Sequence, residues 1–279
     1  MAFATHSIRV LKMMLTIENL RVSYGTPHGE VTGLAGVSFE CAREKLGIVG
    51  ESGSGKSSIG RAIMGLLPVN AHVAADKMRF KDNDLLACDE SALRALRGRR
   101  MAMIFQNPLL ALNPVMKIGA QIAESYEVHQ GFGASASRRH GLNMLRSVHI
   151  EDPERMWNAY PNELSGGMAQ RAMIAMMLAS GPDLLIADEP TSALDVISRQ
   201  SVLEIIDELV QSQGMGLLFI SHDLGLVGSF CDRVVVLKNG ELVETVDAVA
   251  LNSSGHSYTR ALLAARPRLV TGVSADIKN

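Results

Sequence analysis

The chain has 279 residues, of which 47% are hydrophobic, and Lys+Arg 27 against Asp+Glu 29 leave a formal charge of −2. That is ample apolar material for one large or two small cores, and so even a balance gives no electrostatic reason to expect a nucleic-acid or anionic-lipid partner. Cys41, Cys88 and Cys231 stand singly, without zinc or disulfide spacing, and read as small core residues in a reducing compartment.

Residues 1–12 are read as an N-terminal arm with no assigned function; they lack the long apolar stretch and cleavage site of an export signal. Residues 15–24 alternate as a strand does, and 37–39 and 46–49 are β-branched segments broken by Gly. From 56 to 67 the apolar spacing becomes helical, and Pro68 is expected to stop it. Residues 91–96, 118–126 and 137–148 read as helices, so that an α-rich insert is expected over about 107–180. The apolar run at 172–179 is closed by Gly181 and Pro182, well short of the roughly 20 residues a membrane-spanning helix needs. Residues 184–187, 216–220 and 234–237 are short, wholly apolar runs suited to a parallel sheet buried on both faces, with a helix over 196–210 between the first two. The order predicts an α/β core (13–106 and 181–246) divided by a helical subdomain (107–180) and followed by a tail (247–279).

Gly50-Glu51-Ser52-Gly53-Ser54-Gly55-Lys56-Ser57 satisfies G-x-x-x-x-G-K-[ST] and lies between a predicted strand and a predicted helix. Its glycines let the backbone wrap a polyphosphate, its N–H groups and the helix start supply donors and positive potential, and Lys56 adds charge at the β/γ oxygens. Ser57 offers a hydroxyl to Mg²⁺. Residues 184–187 lead into Asp188 and Glu189, at the carboxyl end of a strand where open α/β sheets bind ligands. Side chains alternate along a strand, so Asp188 is expected to face the metal and Glu189 a water at the γ-phosphate. A further apolar strand ends in Ser221-His222-Asp223, which sets His222 at the same edge as a donor that senses the γ-phosphate. ATP and Mg²⁺ are the expected cofactors.

These elements occur with Leu164-Ser165-Gly166-Gly167-Met168-Ala169-Gln170-Arg171, which resembles the signature motif of ABC transporter ATPases. Tyr24, Gln106, Ser192-Ala193-Leu194-Asp195 and His222 follow that family's order, and the resemblance spans 15 to about 246. It implies a P-loop NTPase core with an N-terminal antiparallel β subdomain and an inserted helical subdomain. It also implies that Tyr24 stacks on adenine, and that Gln106 touches the Mg²⁺ or the attacking water. The signature residues Leu164, Ser165, Gly166, Gly167, Met168 and Gln170 would contact the ATP of a second subunit, identical or paralogous, with Asp195 at that junction.

Within the family the chain resembles ATPase subunits of oligopeptide, dipeptide and nickel importers. The resemblance rests on Phe105-Gln106-Asn107-Pro108 with Leu112-Asn113-Pro114, on the Gly167-Met168-Ala169-Gln170-Arg171 variant of the signature, and on the tail His256-Ser257-Tyr258-Thr259-Arg260-Ala261-Leu262-Leu263, where Ser257 replaces the usual Pro. The implied partners are two permease subunits and, indirectly, an extracytoplasmic solute-binding protein, with the ATPase on the cytoplasmic face of the inner membrane and no nucleic acid bound. Other small solutes such as opines, or ABC ATPase work in DNA repair or translation, are the alternatives. Met168, Met173, Met176 and Met177 fall at helical spacing and are read as core packing rather than as a soft-metal site.

Overall fold

The computed structural model describes residues 13–265; the predicted arm at 1–12 and the end of the tail lie outside the described residues. In chain order, β1 (Leu15–Thr26), β2 (Gly29–Cys41) and β3 (Lys45–Gly50) precede α1 (Lys56–Ile63), β4 (Ala71–Ala74), β5 (Lys77–Phe80), β6 (Asn83–Asp84), α2 (Glu90–Leu96) and β7 (Met101–Ile104). Four helices follow, α3 (Pro108–Ala111), α4 (Ile118–Gln130), α5 (Ala134–Ser147) and α6 (Pro153–Asn158), and then α7 (Gly166–Leu178). The chain continues through β8 (Leu184–Asp188), α8 (Val196–Gln213), β9 (Gly216–Ile220), α9 (Leu224–Phe230), β10 (Arg233–Lys238), β11 (Glu241–Asp247) and α10 (Ser257–Ala264). None of the described helices is long and apolar enough to cross a membrane.

The central sheet runs β11-β10-β3-β9-β8-β7, parallel throughout except for the edge strand β11. Its inner strands are apolar on both faces because both faces are covered. On β8, Leu184 and Ile186 join one core with Ile59, Ala62 and Ile63 of α1 and with Leu15, Leu20 and Val37 of the β1–β2 hairpin. Leu185 and Ala187 join the other core, with α4, α7 and α8. The second sheet is antiparallel, β2-β1-β5-β6 with β4 also on β1. Its register shifts between Ile17 and Leu20, where Asn19 takes a left-handed φ of 53°, a conformation Asn tolerates better than most residues. This is the mixed α/β fold class expected from the sequence.

Several local expectations are corrected. The helix begun at Lys56 stops at Ile63, before Pro68, because Gly65 turns left-handed (φ 60°) and the N–H groups of Leu66 and Gly65 reach back to the carbonyls of Arg61 and Ala62 at 2.8 and 3.0 Å. That is a Schellman stop, and glycine supplies it without a Cβ clash. Met173 is fully buried and Met176 and Met177 pack at the core edge, but Met168 is 38% exposed and takes no part in the core. Cys41 and Cys231 are buried, whereas Cys88 is only half-buried. The short strands β4 to β6, edge strand β11, and helices α6, α9 and α10 carried too little periodicity to be read from sequence.

Within the helical insert, Trp157 on α6 sits in a slot made by two glycines. A Cβ on Gly119 (α4) or Gly141 (α5) would come within 2.2 or 2.3 Å of the indole. Arg138 caps the ring face at 5.5 Å and pairs with Glu154. Small residues here let three helices converge on one large aromatic. Gly119→Ala should therefore lower the unfolding free energy by about 1–3 kcal/mol through overpacking, whereas Gly255→Ala, with open space around it, should stay within about 0.5 kcal/mol; urea unfolding measures both. Burial pushes the Cys231 thiol up to about 12 and the Cys41 thiol higher still. A disulfide reagent should accordingly label Cys88 in the native chain and reach the other two thiols only on unfolding; three equally fast thiols would contradict this packing.

Candidate nucleotide site

The carboxyl ends of β3, β7, β8 and β9 open on one cleft. Tyr24, Gly33, Ser52, Gly53, Gly55, Lys56, Ser57, Ser58, Gln106, Glu189 and His222 line it, around a volume of ≈ 590 Å³. The sequence motifs that look separate are thus gathered by parallel strand pairing, which aligns Val49 with Val236 and Asp188 with Ile220.

The loop 50–57 is shaped by close approaches. Gly50 lies so near β10 that a Cβ would meet Leu237 O at 2.3 Å. Gly55 caps α1 with φ 95°, and a Cβ there would meet Gly33 O at 2.5 Å; only glycine fits a left-handed position with that little room. Ser58 and Ile59 are the first α1 amides to find an acceptor, both on Gly55 O. The preceding amides of Lys56 and Ser57 have no acceptor among the described residues, as expected of the orphan donors at a helix start. Ser54 Oγ is buried without a partner, while its carbonyl accepts from Gly240 N–H at 3.1 Å.

Lys56 is 7% exposed and donates to Gly50 O at 2.9 Å and to Glu51 O at 2.7 Å. Burial draws its ammonium below the ordinary lysine range, and the nearby carboxylates of Glu189, Asp188 and Glu51 oppose that shift. Ser57 Oγ donates to Asp188 Oδ1 at 2.7 Å. Burial raises the Asp188 carboxyl, with the Ser57 bond and Arg61 pulling the other way. Orphan amides, a buried ammonium and a hydroxyl–carboxylate pair form a donor set that fits a polyphosphate carrying a hard divalent cation.

Glu189 follows β8 with a left-handed φ of 49°, its N–H still held by Ile220 O at 2.9 Å. That twist turns its carboxylate away from Asp188 and onto His222 Nδ1, at 2.8 and 2.9 Å. The Glu189 side chain is 12% exposed and the His222 side chain 63%, so the acid is sheltered while the imidazole is open to solvent. Tyr24 borders the cleft with its hydroxyl 2.7 Å from Ser58 Oγ, an anchor the sequence did not reveal, and its ring lies against Gly33. Gly33 and Ser58 were missed because no local pattern distinguishes them. Their place follows from the β1–β2 hairpin folding over α1.

The signature residues lie apart from this cleft. Ser165 caps α7 by accepting from Met168 N–H at 3.3 Å, with Gly166 exposed and Leu164 and Gly167 half-buried. Asp195 caps α8 through the amides of Ile197 and Ser198, both at 3.0 Å, and also accepts from Ser198 Oγ at 2.7 Å. Gln170, expected to face the ATP of a second subunit, is 1% exposed with its Nε2 unpaired among the described residues, and lines a neighbouring cleft with Gln106, Asn107 and Ser192.

Residues 22–192 match the ABC transporter family. The chain is 43% identical over 256 residues to the dipeptide transport ATP-binding protein DppD of Escherichia coli (strain K12), covering 91% of this chain and 78% of that protein. It is 42% identical over 266 residues to the oligopeptide transport ATP-binding protein OppD of Bacillus subtilis (strain 168), covering 94% and 74%. Its fold is similar to the dimeric ATP-binding cassette MJ0796 in a post-hydrolysis state with ADP and Pi, at a TM-score of 0.73 and 26% identity over 84% of this chain and 99% of that one. A strand–loop–helix phosphate cradle and a carboxylate pair on the neighbouring strand, together with these likenesses, place the chain in the ABC transporter family as an ATP-binding, ATP-hydrolysing subunit.

Proposed function

We propose that this chain energises the import of dipeptides or oligopeptides through a separate permease. The observation that carries the reading is its 42–43% identity, over more than nine-tenths of its length, to ATP-binding proteins of dipeptide and oligopeptide transport. It works against a second ABC ATPase subunit and two permease subunits, on the inner face of the membrane, with cargo delivered by an extracytoplasmic binding protein. The exposed Leu109 and Leu110 on α3 and Val115 just after it suit contact with the permease, since clustered exposed apolar side chains mark an interaction surface.

In this reading the amides of residues 50–57 and Lys56 hold the triphosphate, and Tyr24 offers its ring to adenine. Ser57, Asp188 and Gln106 hold Mg²⁺, which neutralises charge on the phosphates when bound. Glu189 orients a water and takes its proton. His222 keeps the Glu189 carboxylate in place and turns to the γ-phosphate when nucleotide enters. Ser165, Gly166 and Gly167 present the start of α7 to the nucleotide of the facing subunit, a helix N-terminus aimed at an anion, and Asp195 borders that junction. Such catalysis is positioning and electrostatics, so phosphate loss is converted into subunit separation.

Lys56→Ala should weaken MgATP binding about tenfold to a hundredfold, the loss expected for a charge-assisted contact. Isothermal titration measures it, and unchanged affinity would remove the phosphate-loop assignment. Glu189→Gln should bind MgATP normally, turn over about 10²–10⁴-fold more slowly, and elute as a nucleotide-locked dimer in gel filtration. Wild-type phosphate release from that variant would remove Glu189 as the base. For the cargo, reconstitution with its permease in vesicles should give peptide-stimulated ATP hydrolysis; stimulation by another solute class alone would overturn the peptide assignment.

A further inference from the structure

The turn that carries His222 is held at each of its residues. Ser221 is buried and its N–H donates to Ile48 O at 3.1 Å, so the residue before His222 is pinned to β3. The Glu189 carboxylate holds His222 Nδ1 itself. Asp223 follows: its N–H donates to Ser221 Oγ at 3.1 Å, and its Oδ1 caps α9 by accepting from the amides of Gly225 and Leu226, both at 3.0 Å. The other oxygen, Oδ2, takes no part in that cap and meets Arg199, whose Nη1 lies 3.8 Å away.

Arg199 stands on α8, one helical turn after Asp195, and its N–H donates to Asp195 O at 2.8 Å. Its Nε is enclosed by protein while the outer end of the side chain reaches Asp223. The same opening turns of α8 touch the signature helix: Gly167 lies against Ser198, and Arg171 Nη2 of α7 donates to Ser201 Oγ at 3.0 Å. One short stretch of α8 thus meets the His222 turn through Arg199 and the signature helix through Ser198 and Ser201.

We propose that Arg199 is a positioning residue for hydrolysis: through Asp223 it sets the His222 turn, and so ties the Glu189–His222 pair to the helix that begins at Asp195 and touches the signature. This rests on reading Glu189 and His222 as the pair at the γ-phosphate. A half-exposed ion pair contributes little to folding, so its use is directional. A shift of α8 as two subunits close carries Asp223 with it, and a displacement of about 1 Å at a reacting group changes a rate by as much as about a hundredfold.

The test uses the full chain carrying Arg199→Ala. Its kcat for ATP hydrolysis should fall about three- to thirtyfold, with KM for MgATP within about twofold because other residues hold the phosphates. The thermal midpoint should stay near that of the wild type. Arg199→Lys keeps the charge and should recover most of the rate. Asp223→Asn keeps the cap, since Asn serves an N-cap as well as Asp does, and should cost as much as Arg199→Ala; the two together should cost no more than either alone. In the nucleotide-free chain, the His222 imidazole resonance should shift or broaden in Arg199→Ala. In a His222→Ala background, Arg199→Ala should lower kcat no further. A wild-type kcat in Arg199→Ala, a loss explained by a raised KM or a lowered thermal midpoint, an unmoved His222 resonance, or full additivity with His222→Ala would overturn the proposal. If His222→Ala itself turns over at the wild-type rate, the reading of Glu189 and His222 falls and the role of Arg199 with it; if His222→Ala is impaired and Arg199→Ala is not, only the role of Arg199 falls.

Discussion

A parallel sheet covered on both faces can expose its chemistry only at its ends, and that constraint organises this molecule. Helices and the antiparallel sheet close over β3, β8, β9 and β10, whose residues are nearly all buried. Polar groups are then admitted where the strands stop. β3, β7, β8 and β9 stop together, delivering residues of loop 50–57, Gln106, Glu189 and His222 to one cleft, with Asp188 bonded to Ser57. Parallel pairing is what keeps all four termini on the same edge.

The electrostatics at that edge are balanced rather than neutral. Burial disfavours the charge of both Lys56 and Asp188, yet each lies near groups that favour it. Lys56 rests on two loop carbonyls and Asp188 on the Ser57 hydroxyl. These are weak substitutes for a polyphosphate and a cation, so the site is built to exchange them for stronger partners. The left-handed Glu189 separates two adjacent carboxylates by direction, one toward Ser57 and one toward His222. Backbone twist thereby assigns different surroundings to neighbours of identical chemistry.

Two helix caps define a second region. Ser165 and Asp195 each satisfy orphan amides at a helix start, and Gly167 lies against Ser198 of the Asp195-capped helix. A capped start that still leaves Gly166 exposed keeps donors available to an outside anion. In the proposed mechanism the signature of one chain serves the nucleotide of another; within one chain the signature residues are not among those lining the phosphate cleft. The C-terminal helix is tied to the rim of the sheet, where Glu244 accepts from Ser254 Oγ and Thr259 Oγ1.

Local pattern in the sequence was sufficient for the phosphate loop, the acidic pair, the four inner strands around them and the long helices α4, α5 and α8, because glycine spacing, apolar runs and helical periodicity are properties of neighbouring residues. It was sufficient too for the order strand–loop–helix that gives loop 50–57 its meaning. Tertiary structure alone decided that Gly33 and Ser58 wall the cleft, that His222 grips Glu189, and that Gln170 turns inward while Met168 turns out. Those outcomes depend on which surfaces meet across scores of residues. No run of adjacent side chains encodes them, since burial and pairing are properties of the packed chain.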